Sequence, residues 1–306
     1  MKRENKARLA RLIRDRVGVA VPVDAMFDVQ VKRMHEYKRQ LLNVLHVVTR
    51  YNRIREGRTD GMVPRAVIFS GKAAPGYAFA KLVIRLIHGV ADVVNHDPAI
   101  GDLLKVVFIP NYNVSNAEWI IPACDLSEQI STAGTEASGT GNMKLAVNGA
   151  LTIGTLDGAT MEMRQEVGDE NIFIFGMTAS QVAEHRAAGH NPWAFYHADE
   201  ELRRALDMIA SGYFSPDEPG RFRPVFDRLT AEGDRFLLLA DYAAYVECQE
   251  RVDMLYRDPQ EWARRALLNV AAMGTFSSDR TVADYARLIW NVSAAPGGAI
   301  APASGR

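Results

Sequence analysis

Short apolar, β-branched runs alternate along the first half of the chain with segments whose apolar residues recur at helical spacing. The runs cover residues 27–32, 65–70, 105–110, 151–155 and 171–175, and helical segments such as 35–55 and 77–90 separate them. Parallel strands need long crossover connections, which are usually helices. The alternation therefore predicts an α/β fold, with a Rossmann-like parallel sheet covered by helices.

The pattern becomes wholly helical after Gly176, with predicted helices over residues 199–211, 242–256, 259–273 and 282–290. We expect residues 1–24 to form an N-terminal helix and linker. Residues 25–292 are predicted to form one Rossmann-like catalytic domain with a helical C-terminal part. Residues 293–306 are rich in Ala, Pro, Gly and Ser, a composition typical of a disordered tail.

Composition excludes several classes of function. A formal charge of −1 over 306 residues offers no electrostatic attraction to nucleic acid or to a membrane, and no apolar run is long enough to span a bilayer. Cys124 and Cys248 are too few and too far apart to indicate a disulfide framework, so we predict a reducing, cytoplasmic location. The histidines show no metal-ligand spacing, and no metal is assigned.

Residues 134–144 (GTEASGTGNMK) bring together three glycines, one carboxylate and one lysine. A Walker loop needs Lys-Ser or Lys-Thr where Thr140 and Gly141 stand, and a dinucleotide fingerprint needs glycine where Lys144 stands. The segment therefore suits a single phosphate, bound by backbone N–H groups ahead of a short helix expected over residues 145–149. Lys144 is either an ordinary solvated lysine or the amine of an imine with an aldehyde such as pyridoxal phosphate.

Lys32, Arg33 and Lys38 place three cations between the first predicted strand and the next helix. Taken alone, such a cluster indicates a solvated surface. Beside a phosphate-binding segment it favours a site for two phosphates, because phosphates held close together repel and need several cations. The carboxyl ends of parallel strands meet at one edge of a sheet, so we expect both segments to line one cleft.

Two long motifs resemble those of the α-glucan phosphorylases, which include glycogen, starch and maltodextrin phosphorylases. Residues 132–144 (TAGTEASGTGNMK) resemble the cofactor segment of that family, and residues 27–43 (FDVQVKRMHEYKRQLLN) resemble its phosphate-binding segment. The likeness extends to about Trp290, yet it covers only the second of two large domains. It implies one half of a GT-B-type glycosyltransferase architecture.

The resemblance also implies roles for the matching positions. Lys144 would carry pyridoxal 5'-phosphate as a Schiff base, and Arg33 and Lys38 would bind orthophosphate or the phosphate of glucose 1-phosphate; these three are the implied catalytic residues. The other residues implied to contact the cofactor are Lys32, Tyr112, Thr140 and Gly141. The residues implied to contact glucosyl hydroxyls are Tyr37, Glu136, Ala137, Ser138 and Gly139.

The implied reaction is reversible phosphorolysis of a terminal bond in an α-1,4-glucan, giving glucose 1-phosphate. We expect the isolated chain to need a missing N-terminal domain for turnover, and full-length members of the family to be homodimers. Helices over residues 259–290 are expected to present apolar surface to that domain. Two other hypotheses stay open: a non-catalytic module that binds pyridoxal phosphate or phosphate, and a nucleotide-sugar glycosyltransferase.

Overall fold

A computed structural model describes residues 1–292, and its centre is a six-stranded parallel sheet. The strands are β1 Met26–Val31, β2 Arg65–Ser70, β3 Leu104–Ile109, β4 Leu126–Gln129, β5 Leu151–Gly154 and β6 Phe173–Ile174. They lie in the order β3-β2-β1-β4-β5-β6, and every neighbouring pair is parallel. This is a doubly wound order whose switch point lies between β1 and β4, and the predicted α/β fold is confirmed.

Helices connect the strands and form all of the regular structure after β6 that the model describes. The first six are α1 Lys2–Val17, α2 Gln40–Arg55, α3 Ala78–His96, α4 Val114–Ala123, α5 Gly141–Val147 and α6 Thr160–Val167. Those that follow are α7 Ala179–Ala187, α8 Pro192–Ala198, α9 Glu200–Ala210, α10 Arg223–Leu229, α11 Leu238–Tyr256, α12 Pro259–Ala272 and α13 Ser278–Tyr285. The predicted change to a helical C-terminal part is thereby confirmed.

Both faces of the sheet are buried, as expected for parallel strands covered by helices. Along β2, Ala66 and Ile68 pack on the side of α1, while Val67 and Phe69 pack on the side of α2 and α3. Leu9 of α1 belongs to the same core as the sheet, so this helix is packed against the strands. Within residues 1–292, no helix is long and apolar enough to cross a membrane.

The structure corrects two expected helix boundaries and adds one strand. α2 begins at Gln40 instead of residue 35, because Glu36–Lys38 forms a 3-10 turn and Arg39 has a left-handed backbone with φ 54°. α5 spans Gly141–Val147, so it begins four residues before the expected 145–149 helix and contains Lys144. β4 was not predicted as a strand at all.

The C-terminal helices expose several large apolar side chains. Leu267 of α12 is 69% exposed, and Leu288, Ile289 and Trp290 in the π-helical segment after α13 are all more than half exposed. Such surface is typical of a face that another protein segment covers. The predicted disordered tail over residues 293–306 lies outside the described residues.

Candidate functional site

A cleft of about 860 Å³ opens beyond the carboxyl ends of β1 and β4, at the switch point of the sheet. It brings together the two predicted segments, which lie about a hundred residues apart in sequence. The predicted site residues that line it are Lys32, Arg33, Tyr37, Lys38, Tyr112, Glu136, Gly139, Thr140, Gly141 and Lys144. Ala137 and Ser138 are exposed and are not among the residues that line the cleft.

Lys32 lies directly after β1, where its backbone N–H donates to the carbonyl oxygen of Ser70 at 3.0 Å. Gly71 follows β2 and passes so close that a Cβ there would lie 1.9 Å from the Lys32 carbonyl oxygen. A side chain at this glycine would displace Lys32 from the cleft. Burial, and next the charge of Lys38, lower the pKa of Lys32 to about 8. The cleft therefore contains a poorly solvated ammonium group that an anion would stabilise.

Lys38 forms an ion pair with Glu136 of the glycine-rich segment. The Lys38 ammonium also lies 4.6 Å from the centroid of the Tyr37 ring, a cation–π distance. The Tyr37 hydroxyl donates to Glu136 Oε1 at 3.5 Å. Gln30 of β1 donates to the Lys38 carbonyl oxygen at 3.1 Å, which fixes the 3-10 turn against the sheet.

Arg39, the residue after the turn, has a fully buried side chain that joins three parts of the site. Its Nε donates to the carbonyl oxygen of Ile130 at 2.7 Å and its Nη2 to that of Ser131 at 3.2 Å. Its Nη1 donates to Asp241 of α11 at 2.7 Å. Arg39 thus links the phosphate-binding segment to the chain that leads from β4 into the glycine-rich segment. Sequence reasoning did not find this residue.

The Asp157 carboxylate fixes the start of the glycine-rich segment by accepting three hydrogen bonds. Its Oδ1 accepts from the Gly134 N–H at 2.9 Å, and its Oδ2 accepts from the Glu136 N–H at 2.9 Å and from the Ser131 hydroxyl at 2.6 Å. The next residue, Gly158, has a φ of +52°, and a Cβ there would lie 2.5 Å from the Ser138 carbonyl oxygen. The sequence pair Asp-Gly indicates only a turn, so its role in positioning this segment was missed.

We expect Asp157→Ala to lower the free energy of unfolding by about 3 kcal/mol, because one buried and two partly buried donors lose a charged acceptor, at about 1 kcal/mol each. Asp157→Asn, which keeps one acceptor oxygen, should cost less. Urea unfolding followed by circular dichroism measures both. Asp169→Ala, which removes an exposed carboxylate paired with Arg164, is the control and should change little. Equal effects at Asp157 and Asp169 would contradict this role.

Lys144 lies in the middle of the seven-residue helix α5, is exposed and lines the cleft. Its ammonium group has no ion pair with any of residues 1–292, and neither has the Arg33 guanidinium. Tyr112 lies half-buried on the other wall, just ahead of α4, which Asn113 caps by accepting from the Asn116 N–H at 2.9 Å. Burial raises the pKa of Tyr112, so its phenol stays neutral near pH 7.

These groups fit a phosphorylated aldehyde such as pyridoxal phosphate. Lys144 offers an accessible amine for an imine. Lys32, Thr140 and Gly141 line the same cleft, and the backbone N–H groups of Thr140 and Gly141 have no acceptor among residues 1–292. No group of three or more His, Cys, Asp or Glu among residues 1–292 is placed to bind a metal ion.

A doubly wound parallel sheet with a cation-rich cleft at its switch point defines a Rossmann-like domain whose cleft suits a phosphorylated ligand. The sequence model for carbohydrate phosphorylases matches residues 1–292, and the chain belongs to that family.

Its relatives include glycogen phosphorylases of several mammals. The chain is 56% identical over 290 residues to the brain form of Ovis aries, and the matched region covers 95% of this chain and 34% of that protein. It is 54% identical over 292 residues to the muscle form of Homo sapiens, covering 95% of this chain and 35% of that protein. The chain therefore spans about a third of the length of the curated relatives it matches.

Proposed function

We propose that this chain is the C-terminal, cofactor-binding part of a glycogen phosphorylase, which together with its longer N-terminal part catalyses reversible phosphorolysis of terminal α-1,4-glucosidic bonds. The observation that supports this most is that Lys144 shares one cleft with Lys32, Arg33 and Lys38. One amine and three cations are what a site for a phosphorylated cofactor and a substrate phosphate requires. The identity to glycogen phosphorylases supports the same reaction.

Lys144 would bind pyridoxal phosphate as an imine, with Lys32 and the backbone of Thr140 and Gly141 at its phosphate and Tyr112 beside it. The chemistry supplied by this group when bound is that of a phosphate monoester, whose second pKa near 6 allows proton exchange near neutrality. The positive charge of Lys32 would stabilise the negative charge of that phosphate. Its pKa of about 8 keeps it protonated at pH 7 yet sensitive to the charge bound next to it.

The substrate phosphate would bind to Arg33 and Lys38. Arg33 can grip two phosphate oxygens with its planar guanidinium group, whereas Lys38 acts as a point charge. Both would stabilise the negative charge that builds up beside an oxocarbenium-like glucosyl group. Tyr37, Glu136 and Gly139, which line the cleft, would contact glucosyl hydroxyls. Ala137 and Ser138 are proposed to meet the sugar only when the facing domain closes the cleft.

The facing domain, the α-1,4-glucan, orthophosphate and glucose 1-phosphate are the proposed partners. The exposed apolar side chains of α12 and of the segment Ala286–Trp290 support contact with the N-terminal domain. We also propose that residues 25–292 act as one domain, that the full-length protein is a homodimer, and that it is cytoplasmic. Both cysteines are free and buried, as a reducing compartment allows.

Incubation with pyridoxal phosphate followed by borohydride reduction is expected to label Lys144, which peptide mapping identifies. The label should be lost in Lys144→Ala and kept in Lys72→Ala, because Lys72 is exposed near the same edge of the sheet but does not line the cleft. A label distributed over several lysines, or none at Lys144, would refute both cofactor hypotheses. If the chain were instead a nucleotide-sugar glycosyltransferase, selective labelling of Lys144 would not be expected.

Turnover separates the catalytic proposal from a non-catalytic module. Glucose 1-phosphate release from glycogen and orthophosphate is expected only when the chain is joined to the remaining N-terminal part of a relative. If the joined protein carries the label at Lys144 but releases no product, the chain is a cofactor-binding module.

A further inference from the structure

The Glu136 carboxylate occupies the position at Lys38 that the proposed function gives to a phosphate. The two side chains form an ion pair, with 12% and 15% of their surfaces exposed, and both line the cleft. No other carboxylate in residues 1–292 pairs with Lys38. A phosphate that enters the cleft therefore meets an ammonium group that is already neutralised, together with a carboxylate that repels it.

The backbone of Glu136 is fixed, so any exchange must take place in the side chain. Asp157 holds the N–H groups of Gly134 and Glu136, both at 2.9 Å. Among residues 1–292, the Glu136 carboxylate itself is bound only by Lys38 and, weakly, by the Tyr37 hydroxyl at 3.5 Å. A change of side-chain rotamer is thus sufficient to release Lys38, and the loop can stay in place.

Tyr37 keeps Lys38 in position after such a release. The Lys38 ammonium lies 4.6 Å from the centroid of the Tyr37 ring, a contact that does not depend on the carboxylate. The freed lysine would therefore still face the cleft beside Lys32 and Arg33. The Glu136 carboxylate, in turn, is an acceptor that ligand hydroxyl groups can satisfy.

We propose that Glu136 is an internal competitor for the anion at Lys38, and that a hydroxyl ligand which binds Glu136 releases Lys38 to take phosphate. This inference rests on the proposed function, in which Lys38 binds phosphate and Glu136 faces sugar hydroxyls. It makes binding of the two ligands cooperative, because each removes one partner of the same ion pair. One side-chain exchange would then couple the sugar site to the phosphate site.

Calorimetric titration of the 306-residue chain with inorganic phosphate tests the competition. Glu136→Gln keeps the shape and removes the charge, and it should lower the Kd for phosphate about tenfold. Glu118→Gln is the matched control, because Glu118 lines the same cleft and contacts no cation among residues 1–292. That variant should leave the Kd within about twofold of the wild-type value. In a Lys38→Ala background, Glu136→Gln should give a clearly smaller gain, because only the direct repulsion between carboxylate and phosphate is then removed.

The outcomes distinguish this inference from the function on which it rests. If Lys38→Ala leaves the phosphate Kd unchanged, the assignment of phosphate to Lys38 fails. If Lys38→Ala weakens binding but Glu136→Gln does not strengthen it, or if Glu118→Gln gives the same gain, only the competitor role is overturned. Saturating D-glucose should lower the wild-type phosphate Kd and leave that of Glu136→Gln unchanged; no effect on the wild type would overturn the coupling.

Discussion

Replacing Arg39 with methionine is expected to lower the free energy of unfolding by about 3–5 kcal/mol, the cost of leaving a buried charge without its partner. The lost guanidinium is fully buried and pairs with Asp241 at 2.7 Å. Methionine fills a similar volume, so little of the loss comes from packing. The Ile130 carbonyl oxygen loses the Arg39 donor as well, which adds to the penalty, whereas the Ser131 carbonyl oxygen keeps the Thr155 hydroxyl.

Urea unfolding at neutral pH measures this loss, and a second substitution identifies its source. Because the penalty comes mainly from unpaired Asp241, the double variant Arg39→Met/Asp241→Asn should recover part of the stability. The control Arg3→Met removes an arginine whose ion pair with Asp24 is exposed, and it should have little effect. If the double variant is no more stable than Arg39→Met, the unpaired charge is not the cause.

Most of the sheet could be predicted from the sequence because most strands are apolar runs, and β4 shows why the rest could not. Leu126 is the only apolar residue of that strand, yet the whole strand is buried. Glu128 accepts from the Tyr245 hydroxyl at 3.0 Å and from Gln249 at 2.7 Å, both on α11. Burial raises the pKa of Glu128 well above its ordinary value. A polar strand is stable there because a distant helix supplies its partners, which no local pattern records.

The candidate site likewise contains residues that could be predicted from the sequence and residues that could not. Lys32, Lys38 and Lys144 could be predicted because charge and glycine spacing are local properties of the sequence. Arg39 and Asp157 could not, since each acts through contacts that the fold creates. Asp241, the partner of Arg39, lies 202 residues further along the chain. The sequence thus indicates which groups line the cleft more readily than which groups position them.

Lys32→Met is expected to stabilise the unliganded protein while weakening its binding of phosphate. The pKa of Lys32 falls from the ordinary 10.5 to about 8 on folding, mainly through burial. At about 1.4 kcal/mol per pKa unit, this charged amine costs the folded state up to roughly 3 kcal/mol at pH 7. Methionine avoids that cost and also removes the cation. Such an exchange of stability for binding is common at functional sites.

The pH dependence gives the sharper test of Lys32. Between about pH 8 and 10.5 the unfolded chain keeps a proton that folded Lys32 has released, so this group raises wild-type stability as the pH rises. The stability advantage of Lys32→Met should therefore be greatest below pH 8 and shrink above it. The affinity of the wild type for phosphate should fall above pH 8, where Lys32 loses its charge. The affinity of the variant should stay low at every pH. Urea unfolding and phosphate titrations from pH 7 to 10 measure both, with Lys72→Met as the exposed control. A variant no more stable than the wild type at pH 7 would show that Lys32 is well solvated and that burial does not set its charge.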